Sequence, residues 1–300
     1  MMWLIPSFAS AFLLGFYDFF KKLSLDRNAV APVLFLNTVF LTAIFLPFIL
    51  GSLPAGTPLE GSVFYVPKAG WEAHRLVLLK SVIVLSSWTF GYIGLKHLPL
   101  TIVGPINATQ PVMVLLGALL LFGEWLNGYQ WTGVLLAVLS FYLLSRSGSR
   151  EGIDFSHNRW IICVVTGVAL GAVSSLYDKF LMQRFAPMFV QAWYVLYQAV
   201  LSGIVVLLFW WPRRKHFTPF EWRWSIPCIS LFLALADFVY FYALSYESSM
   251  ISVVSMIRRS SVVVSFLCGA LIMREKNLRS KVIDLVLVLL GMVFLYIGSR

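Results

Sequence analysis

Apolar side chains fill ten stretches of this sequence, and polar ones gather in the gaps between them. The stretches are Trp3–Phe20, Val30–Leu50, Leu76–Leu95, Thr101–Phe122, Tyr129–Leu144, Trp160–Leu181, Pro187–Trp211, Ile226–Ser245, Met250–Met273 and Val282–Ile297. Most reach the length of about 20 residues that a helix needs to cross a bilayer. Inside lipid no water is left to bond the backbone, so runs of this length must bond internally as helices. The pattern predicts an all-α integral membrane protein with ten transmembrane helices. The longest gap, Gly51–Arg75, holds Pro54, Pro58 and Pro67 and is too short for a soluble domain. Residues 146–159 combine Gly, Ser and charge, the composition of a solvated linker, and separate residues 1–145 from 160–300.

The two halves repeat. Tyr17-Asp18 closes the first run and Tyr177-Asp178 the sixth; Ala31-Pro32 opens the second and Ala186-Pro187 the seventh. Gly91–Leu95 ends the third run and Tyr240–Leu244 falls in the eighth, each before the next run begins; Glu124 and Glu275 follow the fourth and ninth. Five spans is an odd number, so the second copy must enter the membrane from the opposite face. Two inverted five-helix repeats enclosing a midplane site is a plan many secondary transporters share.

Composition agrees with the pattern. Hydrophobic residues make up 60% of the chain, charged ones 12%, and mean hydropathy is +0.85, whereas soluble domains run near a quarter charged. The net charge of +10 comes largely from Lys and Arg between the runs, where they set orientation and meet anionic headgroups. No basic-aromatic module for nucleic acid is present. Cys163, Cys228 and Cys268 stand alone in apolar runs, as small hydrophobes. The first run lacks a basic leader and a cleavage site, so it reads as a retained span.

Arg258 and Arg259 lie within the ninth run, where exposure to lipid would be costly. Asp237, in the eighth run, can neutralise one of them; adjacent helical residues point about 100° apart, so it cannot serve both. One arginine is expected to pair with Asp237 and the other to face a cavity, where its planar fork suits carboxylate or phosphate. In the first half, Thr109-Gln110 align with the arginines, and Pro105 and Pro111 flank Asn107 and Gln110. Prolines free backbone carbonyls and kink the helix, a pointer to a binding site. Trp88 aligns with Asp237. Gln191 and Gln198 share one face of the seventh helix, and Asn37 holds an early position in the second. Trp193, Tyr194, Tyr197, Tyr240 and Tyr242 are further candidates for cavity walls. Tyr17, Asp18, Tyr177 and Asp178 read as interfacial clasps or, by their symmetry, as gates or proton sites; Lys21 and Lys22 follow Asp18 at i+3 and i+4. No catalytic, phosphate-binding or metal-ligand motif occurs, so neither an enzyme nor a cofactor is expected.

The five-helix halves, the Leu95 and Leu244 endings of the third and eighth runs, and Glu124 and Glu275 resemble the EamA-like branch of the drug/metabolite transporter superfamily, over nearly the whole chain. The resemblance implies a central cavity walled by the third and fourth helices of each half, and alternating access. Family members move amino acids, other metabolites, sugars or drugs. The small four-helix multidrug relatives use a membrane-embedded Glu in their first helix. Only Asp18 stands in the first run here, so their proton-coupled cation export is not implied.

The expectation is a transporter of a small metabolite, such as an amino acid or another carboxylate- or phosphate-bearing solute, in a cell membrane. An ion gradient, such as a proton gradient, or the solute's own gradient would drive it. The alternatives are a membrane enzyme on a lipid-linked substrate or a sensor without flux. Both termini fall on one side. Fifteen Lys and Arg lie on the face holding the 1–2, 3–4, 5–6, 7–8 and 9–10 loops and six on the other, which makes the richer face cytoplasmic and the termini external. The family resemblance implies the reverse.

Overall fold

A computed structural model describes residues 4–54, 56–114, 117, 127–149, 157–182, 184–215, 217–244, 257–273 and 278–298. Among them the chain forms ten α-helices, a π-helical turn at Val206–Trp210 and no strand. They are α1 (Leu4–Leu25), α2 (Val30–Gly51), α3 (Trp71–His97), α4 (Leu100–Ala108), α5 (Gly128–Ser149), α6 (Arg159–Met182), α7 (Pro187–Val205), α8 (Ser225–Leu244), α9 (Ser261–Leu271) and α10 (Leu278–Gly298). Among the described residues, five stretches are long and apolar enough to cross a membrane: Val30–Gly51, Trp71–His97, Arg159–Asp178, Pro187–Trp210 and Lys281–Gly298. The outer surface is apolar too. Phe8, Leu135, Leu207, Phe209 and Leu271 are each more than half exposed, which suits lipid and not water.

The fourth run is interrupted, in keeping with its two prolines, and the ninth is interrupted where its apolar length suggested a continuous helix. α4 stops at Ala108 and turns tightly at Thr109, whose N–H bonds back three residues to Ile106 O at 3.1 Å. Helix resumes at Gln110, and Pro111 supplies no N–H. In the ninth run a helical turn at residues 257–259 ends at Ser260, whose N–H bonds to Ile257 O at 3.0 Å. The two turns share a device. Thr109 Oγ1 donates to Ile106 O at 2.7 Å, and Ser260 Oγ donates to Ile257 O at 2.6 Å. Each hydroxyl thus competes for a carbonyl the helix would otherwise use.

Packing follows a pseudo-twofold rule that relates each helix to the one five places on. α1 packs along α8 as α6 packs along α3, and α2 meets α8 as α7 meets α3. The α2–α7, α4–α9 and α5–α10 pairs each join equivalent helices. At the α5–α10 seam the relation reaches single atoms. A Cβ on Gly133 would sit 2.8 Å from Gly291 O, and a Cβ on Gly291 would sit 3.0 Å from Gly133 O. The two halves form an inverted repeat.

One end of the bundle is basic and closed by loops. Lys22 Nζ donates to Leu95 O and Leu98 O at 2.7 and 2.6 Å, Lys96 Nζ to Thr218 Oγ1 at 2.7 Å, and Arg223 Nη1 to Leu23 O at 2.9 Å. Two lysines do not fit the loop positions read from the sequence. Lys80 and Lys281 lie inside α3 and α10 and are buried. Each came from a different face, so the excess of charge on the basic end stands. Glu124, Glu275 and residues 150–156 of the linker lie outside the described residues.

Candidate central site

Asp237 is the acceptor around which three helices meet. It lies on α8 and is 7% exposed. Arg258, in the helical residues just before Ser260, donates Nη2 to Asp237 Oδ1. Its guanidinium carbon stands 4.3 Å from the centre of the Tyr240 ring, a cation–π contact. From α7, Gln191 Nε2 donates to Asp237 Oδ2 at 3.1 Å. Both carboxylate oxygens are therefore occupied, and the charge of Arg258 is compensated. Arg259 is different. It is only partly exposed, and among the described residues it forms no hydrogen bond or ion pair.

A second charge pair joins the cluster through α7. Lys80 Nζ pairs with Asp178 Oδ1 and lies 4.8 Å from the centre of the Tyr194 ring, one helical turn after Gln191. This pair ties α3 of the first repeat to α6 of the second. Tyr177 Oη donates to Leu76 O at 3.2 Å across the same seam. Nearby, His74 Nδ1 and Tyr197 Oη share a hydrogen bond of 2.8 Å, and Trp193 meets His74 edge-on. A cavity of about 280 Å³ opens there, with Ser52, Val66, Lys68, His74 and Trp193 among its lining residues.

The equivalent motif near the basic end is wired otherwise. Lys21 Nζ donates to Asp18 Oδ1 at 2.6 Å within α1 and lies 4.2 Å from the centre of the Tyr17 ring and 5.5 Å from that of Tyr92. Tyr92 Oη accepts from Asn37 Nδ2 at 3.1 Å, and Ser230 Oγ donates to Asn37 O and Oδ1, both at 2.9 Å.

Of the residues singled out in the sequence, Asp237, Arg258 and Gln191 meet, while Tyr17, Asp18 and Asn37 form the other network. Gln110 bonds elsewhere, Nε2 to Ser175 Oγ on α6 at 3.2 Å. Asn107 is partly buried with no side-chain hydrogen bond among the described residues, and Trp88 packs half-buried against the main core. Sequence reasoning missed Lys80, although a lysine four residues inside an apolar run was a readable signal. It also missed Ser230, which nothing in its sequence context marks, and it read Tyr92 only as part of the Gly91–Leu95 repeat element.

The model of the EamA-like transporter family matches residues 1–146 and, a second time, residues 158–297. Among solved structures, 21 chains match. One, described only as "Crystal structure of protein", has a TM-score of 0.61 at 17% identity, covering 100% of this chain and 99% of its own. That likeness shows the fold alone. No protein with a curated description matches the sequence.

Proposed function

The chain belongs to the EamA-like transporter family, and is a multi-pass membrane protein of the transporter type; from that premise we propose that it carries a small carboxylate- or phosphate-bearing solute by alternating access. In this reading all ten helices span the membrane and the two five-helix repeats, residues 1–145 and 160–300, rock against each other. The single observation that carries the solute class is the contrast between neighbours. Arg258 is held by Asp237, and Arg259 forms no hydrogen bond or ion pair among the described residues. An uncompensated guanidinium at membrane depth is costly unless water or an anion reaches it, and its donor fork fits an anionic oxygen pair.

The residues then divide by role. Arg259 binds the anionic group, and Asp237, Gln191 and Tyr240 hold Arg258 so that it cannot take that place. Asn107, beside the Thr109 turn, offers an uncharged amide. Gln110 and Trp88 stand further out and shape α4 and α3. Lys80–Asp178 with Tyr177 forms a gate across the repeats, next to the His74–Trp193 cavity. Asp18 and Tyr17 stabilise the opposite end. Energy comes from an ion gradient or from the solute itself.

Thermal stabilisation of the purified protein by a panel of amino acids, dicarboxylates, sugar phosphates and uncharged sugars tests this. A carboxylate or phosphate should raise the melting temperature of wild type and of Gln110→Ala but not of Arg259→Ala. Stabilisation by an uncharged sugar alone, or an unchanged response in Arg259→Ala, would overturn the assignment.

A further inference from the structure

We propose that the turn after α7 is a binding site for an anionic phospholipid, with the headgroup phosphate held by Arg213, Arg214 and Lys215 and an acyl chain lying along Leu207, Leu208 and Phe209. The site goes beyond the transport reading and does not depend on what Arg259 binds. The chain continues from α7 into a wide turn. Val206–Trp210 is π-helical, and the Trp211 N–H bonds back five residues to Val206 O at 2.8 Å. Leu207, Leu208, Phe209 and Trp211 are each more than half exposed. Bulky apolar side chains gathered so closely form a surface for lipid tails. Charge follows at once. Arg213, Arg214 and Lys215 are all exposed in the turn that ends the helix. Only Pro212 separates the apolar wall from the cations, so the two meet where a phospholipid joins its tails to its phosphate.

The charges of this end decide which lipid fits. From Val206 to Trp224 the sequence holds one acid, Glu221, and its Oε2 is paired with Arg223 Nη2 at 3.3 Å. Neighbouring cations are engaged: Lys22 with the Leu95 and Leu98 carbonyls, Lys96 with Thr218, and Arg223 also with Leu23 O. Arg213, Arg214 and Lys215 form no side-chain hydrogen bond or ion pair among the described residues. Three adjacent like charges at the membrane edge favour a headgroup of net negative charge over one that brings its own cation.

Arg214 is already oriented for the task. Its guanidinium carbon stands 4.4 Å from the centre of the Trp211 ring. Stacking uses the face of the guanidinium and leaves its N–H edge for phosphate oxygens. Trp211 thereby joins the apolar wall to the charged rim. The loop adds an aromatic row: Phe217, Trp222 and Trp224 are exposed, and the Trp222 ring stands 6.0 Å from that of Phe40 on α2 and 6.1 Å from that of Trp224. Tryptophan in such a row sits at headgroup level.

Thermal unfolding of the purified protein in detergent, with added phosphatidylglycerol or with phosphatidylcholine of the same chains, tests this. Phosphatidylglycerol should raise the melting temperature of wild type beyond phosphatidylcholine. That difference should vanish in the triple variant Arg213→Gln, Arg214→Gln, Lys215→Gln and persist in Arg259→Ala. Raising salt from about 0.1 M to about 1 M shortens the Debye length from about 10 Å to about 3 Å. It should remove most of the difference from wild type, a readout that needs no variant. Inorganic phosphate, which has no acyl chain, should give no such rise in Arg259→Ala. A difference that survives in the triple variant or at high salt, its loss in Arg259→Ala, or an equal rise there with inorganic phosphate would overturn the proposal.

Discussion

The two Tyr-Asp motifs are copies of one another in sequence, yet their charges are satisfied in different ways. Asp18 is paired three residues along its own helix, and Asp178 is paired with Lys80 across the repeat boundary. At the basic end the repeats are joined by a loop contact, in which Asn28 exchanges hydrogen bonds with the Glu221 backbone, and by the helix ends, where Ser24 of α1 donates to Ser225 of α8 at 2.6 Å. In the proposed rocking of the repeats the Asp18 pair would stay intact and the Asp178 pair would have to part. Duplication supplied the same acid twice; only one copy reports on where the halves stand.

The largest effect should come from the cross-repeat pair. Asp178→Asn leaves the Lys80 ammonium, 6% exposed, without its counter-charge. Breaking a buried pair costs about 3–5 kcal/mol. The lower end applies, because the Asp178 side chain is 38% exposed. Thermal denaturation in detergent should show this loss, and the double exchange Lys80→Asp with Asp178→Lys should recover most of it. Next in size, a disulfide between Lys80→Cys and Asp178→Cys, made with the three native cysteines replaced, should stop solute flux in proteoliposomes, and reduction should restore it. Flux that continues in the oxidised protein would remove the gate from that seam.

Smaller effects sharpen the contrast. Tyr177→Phe deletes the bond to Leu76 O and should cost about 1 kcal/mol. Asp18→Asn leaves Lys21, whose side chain is 11% exposed, without its counter-charge, but the Tyr17 and Tyr92 rings still face its Nζ, so the melting temperature of this variant should fall by less than that of Asp178→Asn. A loss in Asp18→Asn equal to that in Asp178→Asn would erase the distinction.

Much of the fold was legible because lipid leaves the backbone few choices. Apolar runs placed every helix, and the recurrence of Tyr-Asp and Ala-Pro placed the pseudo-twofold axis that the packing displays. The Thr109 turn was announced by Pro105 and Pro111. The Ser260 turn was not, because a serine hydroxyl interrupts a helix only where it takes the carbonyl, which the sequence does not reveal. The meeting of Asp237 with Arg258 could be inferred from the cost of buried charge. That Gln191 takes the second oxygen, or that Gln110 turns to α6, depends on helix rotation, which pattern alone leaves open. Lys80, inside the third run, and Lys281, just before the tenth, entered the sequence reading only in the count of charges on each face.

The most direct test of alternating repeats is a pair of spin-label distances measured on the cysteine-replaced protein in lipid, with and without Asp178→Asn. Labels at Trp71→Cys and Arg184→Cys report on the α3–α6 end, and labels at Leu23→Cys and Trp224→Cys on the basic end; all four positions are exposed. Breaking the Lys80 pair should add a longer-distance population between 71 and 184 and none between 23 and 224. A 71–184 distribution that does not change would contradict the account.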